Sequence, residues 1–337
     1  MNWKHFAFVA AALAVPIGAV AIATSRNDET DGKRPAETAQ TEVAEPSEPS
    51  EDPSFVSSGS SNIYIIDVAT RALDQVTTND AGQIATAPDW SSTGDIVFSE
   101  APGGDELASL FIVKPDGSGR RRVSTRIRHL FGPTWAPDGS AIAFLRLGYA
   151  LYVIDVRTNR VRRLEATSSA DDAPAWSPDG DSILLQRQMP TATNLELYLI
   201  DPAGKRVRRL TRDPLQQITP AWSPDGSRVA FAEQHKNGKW VISTMRLDGS
   251  ERSLLTDSRI SSQDPAWSPD GRRIAFVLQQ GERQSIGVVD ADGGKALTIT
   301  PKELVEAMSP VWSPDGKKIA FAARRASRPP PSRAPAP

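Results

Sequence analysis

"AWSPDG" occupies residues 175–180, 221–226 and 266–271; "VWSPDG" follows at 311–316, and the looser "TWAPDG" stands at 134–139. The tryptophans line up as Trp90, Trp135, Trp176, Trp222, Trp267 and Trp312, at spacings of 45, 41, 46, 45 and 45 residues. A period of that length, carrying several short strands per unit, is the signature of a propeller blade. Each unit repeats more than its Trp. A proline stands two residues before it (Pro88, Pro133, Pro174, Pro220, Pro265, Pro310) and a glycine four after (Gly94, Gly139, Gly180, Gly226, Gly271, Gly316). A β run such as "IAF" at 142–144, 274–276 and 319–321 comes next, then a second pair of strands typified by "LYVIDVRT" at 151–158 and "LYLIDPAG" at 197–204. Units close on an apolar-hydroxyl pair: Val123-Ser124, Leu210-Thr211, Leu255-Thr256 and Leu297-Thr298.

The last unit stops two strands short, and an orphan pair, "NIYIIDV" at 62–68 and "LDQVTT" at 73–78, precedes the first. Joined, they complete a blade. The expectation is an all-β, six-bladed propeller of four-stranded blades over residues 61–323, closed by pairing of its N- and C-terminal strands, which leaves no open sheet edge at the seam.

The repeated letters have a structural explanation. Proline presets φ at the second position of a tight turn, Asp bonds nearby backbone, and Gly takes the left-handed conformation. Trp packs between neighbouring blades, where its indole N–H can still find an acceptor. Asp138, Asp179, Asp225, Asp270 and Asp315 are therefore read as turn residues; five uncompensated carboxylates in a ligand-binding ring would repel one another.

The ends differ in composition. Lys4 and His5 precede an apolar stretch, Phe6 to Ala23, ending in Ala21-Ile22-Ala23. Residues 1–23 read as a signal peptide or signal anchor, which places the rest of the chain outside the cytoplasm: periplasmic, in the cell envelope or secreted. Residues 24–60 hold nine acidic and three basic residues with few large apolar side chains, and read as a disordered acidic spacer. The tail 324–337 is Arg/Pro-rich and reads as disordered. The absence of cysteine excludes disulfides and thiol chemistry. Between 61 and 323 there are 31 basic and 32 acidic residues, so nothing draws the ring to nucleic acid. A monomer is expected.

No catalytic constellation stands out. There are three histidines, and His129 and His235 fall in different units. No G-x-S-x-G motif is present, and "DADGG" at 290–294 lacks the ligands of a calcium loop. No enzyme activity, cofactor or metal is expected. Two interaction surfaces are. The first is a basic arc, Arg121-Arg122, Arg162-Arg163 and Arg208-Arg209, set against Ser253-Leu254, Lys295-Ala296 and Asp74-Gln75 in the other units. Such charges protect strand edges or attract an anionic envelope polymer. The second is the set of variable segments before each Pro-x-Trp, read as loops around the channel mouth: His129, Phe131, Asp171, Asp172, Gln216, Gln217, Gln263, Asp264 and Glu306.

The "xPxWSPDGxxIAF…LYxxD…LT" pattern over 62–323 resembles the propeller of the TolB family and its WD-repeat-like relatives. That resemblance implies an extracytoplasmic six-bladed propeller and, in TolB, partner binding in the Tol–Pal system with a lipoprotein docking at the channel mouth. TolB carries an α/β domain before its propeller, where this sequence has the leader and spacer. The leading expectation is an exported, non-enzymatic scaffold that binds a protein or peptide. A binding module for an anionic or carbohydrate envelope polymer is the alternative, and a propeller hydrolase or lyase a distant third.

Overall fold

Alternating apolar runs too short to fold alone must stack, and here they stack into blades. The protein is described by a computed structural model covering residues 59–326, apart from 103–107, 124–129, 147–149, 168–169, 189–193 and 213. The expected leader, most of the spacer and the tail beyond residue 326 lie outside these described residues. Twenty-four strands, β1 to β24 in chain order, form six four-stranded antiparallel sheets, and among the described residues there is no helix.

The innermost strands, each ending on a repeat Trp, are β3 (Ile84–Trp90), β7 (Leu130–Trp135), β11 (Asp171–Trp176), β15 (Gln217–Trp222), β19 (Ser261–Trp267) and β23 (Leu304–Trp312). They define blades one to six. Outside them run β4 (Ile96–Ala101), β8 (Ala141–Arg146), β12 (Ile183–Gln188), β16 (Arg228–Gln234), β20 (Arg273–Gln280) and β24 (Lys318–Arg325). The third layer is β5 (Ser109–Val113), β9 (Ala150–Asp155), β13 (Leu195–Ile200), β17 (Trp240–Arg246), β21 (Arg283–Asp290) and β1 (Asn62–Asp67). The outermost strands are short: β6 (Arg121–Arg122), β10 (Val161–Arg163), β14 (Val207–Arg209), β18 (Ser253–Leu254), β22 (Leu297–Thr298) and β2 (Leu73–Gln75).

Blade six is built from both ends of the chain. Its order is β2-β1-β24-β23, with Asn62 opposite Ala323 and Asp67 opposite Lys318. Ser61 reaches on to blade one, its N–H donating to the Gln83 carbonyl and its hydroxyl to that of Ala85. β24 runs to Arg325, two residues past the boundary expected from composition, because Arg324 and Arg325 still pair with Val305 and Leu304.

The core lies between blades rather than within them. Six apolar clusters each join two neighbours; one combines Ile218, Ile242 and Leu255 of blade four with Ile274, Phe276 and Val289 of blade five. The phenylalanines of the "IAF"-type runs, Phe98, Phe144, Phe231, Phe276 and Phe321, are fully buried, each contributing about 2–3 kcal/mol of transfer free energy. Trp222 and Trp312 donate their indole N–H to the Ala175 and Ala266 carbonyls of the preceding blade, 3.1 Å each. The buried indole N–H groups of Trp90, Trp135, Trp176 and Trp267 have no acceptor among the described residues.

The turn chemistry follows the expectation. In blade four the Gly226 N–H donates to the Ser223 carbonyl (2.9 Å), closing a tight turn over Pro224 and Asp225, with Gly226 at φ 70°. Asp225 accepts from the Ser223 hydroxyl (2.6 Å) and the Ser227 N–H (3.1 Å), and Ser223 Oγ accepts from the Arg228 N–H (2.9 Å). Successive turns touch: a Cβ on Gly271 would meet Pro224 at 3.4 Å and one on Gly316 would meet Pro269 at 3.6 Å. The closing hydroxyl has its own task, since Thr77, Thr211, Thr256 and Thr300 accept from the N–H of Ile63, Leu197, Ile242 and Ile286. In blade five the closing pair is therefore Ile299-Thr300; Leu297-Thr298 is the outermost strand itself, pairing with Val288 and Gly287. The slot matching the arginine pairs of the other blades thus holds Leu297-Thr298 in place of Lys295-Ala296.

Candidate functional site: the channel wall

Every innermost strand breaks its ladder at the same place. Three residues before each Trp the backbone turns left-handed: Ala87 (φ 49°), Gly132 (56°), Ala173 (49°), Thr219 (48°), Asp264 (51°) and Ser309 (51°). The register with the second strand slips there in all six blades. A bulge takes one N–H out of the ladder, and that donor needs an acceptor elsewhere. Because all six blades share it, the bulge belongs to the architecture. What fills the acceptor position is particular to each blade.

Blades four to six take it from the previous blade. The Thr219 N–H donates to Gln186 Oε1 (2.7 Å), the Asp264 N–H to Thr219 Oγ1 (3.2 Å) and the Ser309 N–H to Asp264 Oδ2 (3.3 Å). Gln186 in turn donates to Asp172 Oδ2 (3.4 Å), and Asp172 Oδ1 accepts from the Ala173 N–H (2.7 Å). A chain of polar contacts thus crosses from blade three to blade six. Blade one supplies a second arrangement: Asp89 accepts from the N–H groups of Trp90 (3.0 Å) and, one blade on, Trp135 (2.7 Å).

These carboxylates are half-buried on the innermost strands. Burial pushes Asp172 up to about 7, helped by the charges of Asp264 and Asp171 and opposed by the Ala173 N–H. Burial likewise pushes Asp264 and Asp89 up to about 6, against the bonds from Ser309 and from Trp135, Thr134 and Trp90. Among the described residues no Lys or Arg pairs with any of the three. Among the described residues, Asp264 Oδ1 is buried without a hydrogen-bond partner. The wall therefore offers acceptors and negative charge, and suits a ligand that brings donors. Among the described residues no three His, Asp or Glu side chains are grouped to hold a metal ion.

The expected mouth residues divide on inspection. Phe131, Asp171, Asp172, Gln217, Gln263, Asp264 and Glu306 lie in the innermost strands, not in loops, because the bulge lets each strand run upstream of Pro-x-Trp. Asp171 and Gln217 do not line the mouth. They are fully buried in matching register positions; Asp171 is ion-paired with Arg187, and Gln217 Nε2 donates to the Leu215 carbonyl (2.6 Å). Asp172, Gln263 and Asp264 are half-buried on the inner strands, while Glu306 pairs with Arg324 at 3.1 Å. Gln216 sits just before β15, its carbonyl bonded to the Gln234 N–H, and His129 lies outside the described residues. Asp89, Gln186, Thr219 and Ser309 were missed. Two of them carry a signal: Asp89 stands where other units have Thr134, Ala175, Ala221, Ala266 and Val311, and Gln186 where most have an apolar residue.

The five turn aspartates are held apart from this wall. Asp225 is held down to about 2 by the Ser223 and Ser227 hydroxyls, and Asp138, Asp179, Asp270 and Asp315 are also lowered by hydrogen bonds within their turns. The arginine pairs do occupy outermost strands β6, β10 and β14, where Arg209 is ion-paired with Glu196.

Comparison with known proteins agrees with this architecture. Residues 184–330 match the family described as the TolB beta propeller domain. A protein described as a TolB homolog from Chlorobium luteolum is 26% identical over 109 residues, which is 32% of this chain and 24% of that protein. The match thus spans about a quarter of that relative. A solved structure from Agrobacterium tumefaciens assigned to TolB superposes with a TM-score of 0.69 at 23% identity, covering 79% of this chain and 99% of that one. TolB from Acinetobacter baumannii gives 0.63 at 19% identity, covering 75% of this chain and 66% of that one.

Proposed function

We propose that this chain, whose ring is a TolB-like β-propeller, is an exported scaffold without enzymatic activity that holds a protein or peptide at one mouth of its channel. The observation that carries the reading is the contrast within each blade. Turns and core repeat from unit to unit, whereas the innermost strands carry polar residues that do not, linked from Asp172 through Gln186, Thr219 and Asp264 to Ser309. Enclosed acceptors without cationic partners favour a segment presenting backbone N–H groups or a basic side chain. The relatives named TolB support partner binding as the class of function, and an extracytoplasmic location fits the apolar segment at residues 6–23.

A photo-crosslinking amino acid at Gln263 tests this in cells, with one at Leu254 on the outer rim as control. A discrete protein adduct at Gln263 and none at Leu254 is the expected result. Adducts of equal yield at both positions, or none at Gln263, would remove the mouth as the binding site. Turnover of a glycan or peptide by the purified protein would overturn the non-enzymatic part.

A further inference from the structure

Align the blades by their outermost strands and charge divides the ring in two. Arg122, Arg163, Arg209, Leu254, Thr298 and Gln75 occupy the same place, opposite Phe111, Tyr152, Tyr198, Ser243, Gly287 and Tyr64 of the third strands. Taking the outer hairpins that end there, residues 114–122, 155–163 and 201–209 hold twelve Lys or Arg and three Asp. The matching residues 246–254, 290–298 and 67–75 hold four basic and six acidic. Three consecutive blades thus carry twelve minus three, or +9, on their outer hairpins, and the other three carry four minus six, or −2. Counting Glu100 and Glu196, which pair with Arg120 and Arg209, still leaves +7 on the basic half. The ring as a whole, residues 61–323, holds 31 basic and 32 acidic residues, so outside these six hairpins it carries fifteen minus twenty-three, or −8.

The two signs have different tasks. The three aspartates are tied into their turns: Asp116 accepts from the Ser118 N–H, Asp155 from Thr158 and Asp201 from Lys205. The arginines stand on or beside the strands, and Arg121, Arg163 and Arg208 are exposed and form no ion pair among the described residues. Protection of exposed strand edges accounts for charge on an outer strand, but it requires charge of either sign on every blade. It does not call for twelve basic residues on three adjacent blades and four on the other three.

We infer that the outer rim of blades one to three is a docking surface for a flexible, phosphate-bearing linear polymer. This surface is separate from the channel mouth and does not depend on it. Guanidinium groups spaced along the strands suit planar, two-pronged contacts with such anions. The shape selects a chain over a membrane. Outermost strands lie around a circumference, so a flat bilayer can meet only part of the arc, whereas a flexible polymer can follow all three blades.

Binding of the whole protein to inorganic polyphosphate, measured by calorimetry over a salt series, tests the inference. Replacing Arg121, Arg163 and Arg208 together by Glu is expected to weaken binding by about tenfold or more and to flatten its salt dependence. The control reverses three exposed charges elsewhere, Arg71→Glu, Lys295→Glu and Arg272→Glu, and is expected to change affinity by less than about threefold. Melting temperatures of both variants establish that they fold. Equal weakening by the two triples would reduce the effect to net charge and overturn the docking surface. So would failure of the native protein to bind polyphosphate at low salt. Tighter binding to phosphatidylglycerol vesicles than to polyphosphate, at equal phosphate, would overturn the polymer in favour of a bilayer. Crosslinking at Gln263 is expected to be unchanged in the triple variant, which keeps this result distinct from the mouth reading.

Discussion

Asp225 and Asp264 are the same residue type in successive repeats, and their surroundings send them opposite ways. Asp225 is exposed in its turn and gains three hydrogen bonds as a carboxylate. Asp225→Ala is expected to cost about 1 kcal/mol in urea unfolding, with crosslinking at Gln263 unchanged in the folded protein. A loss of crosslinking at unchanged stability would give the turn a binding role after all. Asp264 is enclosed, has one oxygen without a partner, and titrates near 6. Its folded pKa lies above the unfolded one, so the folded protein holds the extra proton between the two, and stability falls as pH rises through that interval. Asp264→Asn keeps an acceptor for the Ser309 N–H and cannot ionise. It is expected to raise the melting temperature at pH 8 and to leave it nearly unchanged near pH 4; equal effects at both values would show that ionisation is not the cause.

The bulged inner strand is the element in which scaffold and candidate site meet. Its existence was legible in the sequence, because Pro-x-Trp marks the end of each inner strand. Its length was not. Composition made 128–131 and 169–172 look like loops, since a strand with one side toward a channel lacks the apolar alternation of a packed one. The left-handed position was also invisible: Gly132 advertises it, but Thr219 is β-branched and Asp264 charged. The contacts between blades hold those residues there. Thr219 tests the point, because its hydroxyl accepts the Asp264 N–H of the next blade. Thr219→Val keeps the shape and leaves that N–H unpaired, and is expected to destabilise by about 1–3 kcal/mol in denaturant unfolding, whereas Thr219→Ser is expected to cost less. If both cost the same, the hydroxyl is not the acceptor that matters.

Across the whole ring, the two kinds of aspartate set opposing pH limits. Turn aspartates with lowered pKa values, Asp225 among them, contribute stability above about pH 4 that is lost as pH falls toward 2. Channel aspartates with raised values, Asp89, Asp172 and Asp264, remove stability as pH climbs from about 4 to 7. Thermal melts across this range are expected to peak near pH 4–5, and a melting temperature that rises steadily to pH 8 would contradict the channel assignments. The number of blades and their spacing were written in the tryptophans; the charge polarity of the rim emerged only when the sheet register showed which residues share a place. The seam in blade six has a consequence in time. Asn62 pairs with Ala323, so "IYII" in β1 can pair with β2 at once but cannot pair on its other side until residues 318–325 have been made. At ribosomal speeds that delay is on the order of tens of seconds. Through that interval the earliest strand of the fold waits with an open edge for the latest one, and the ring stays unlatched until synthesis reaches the final strand.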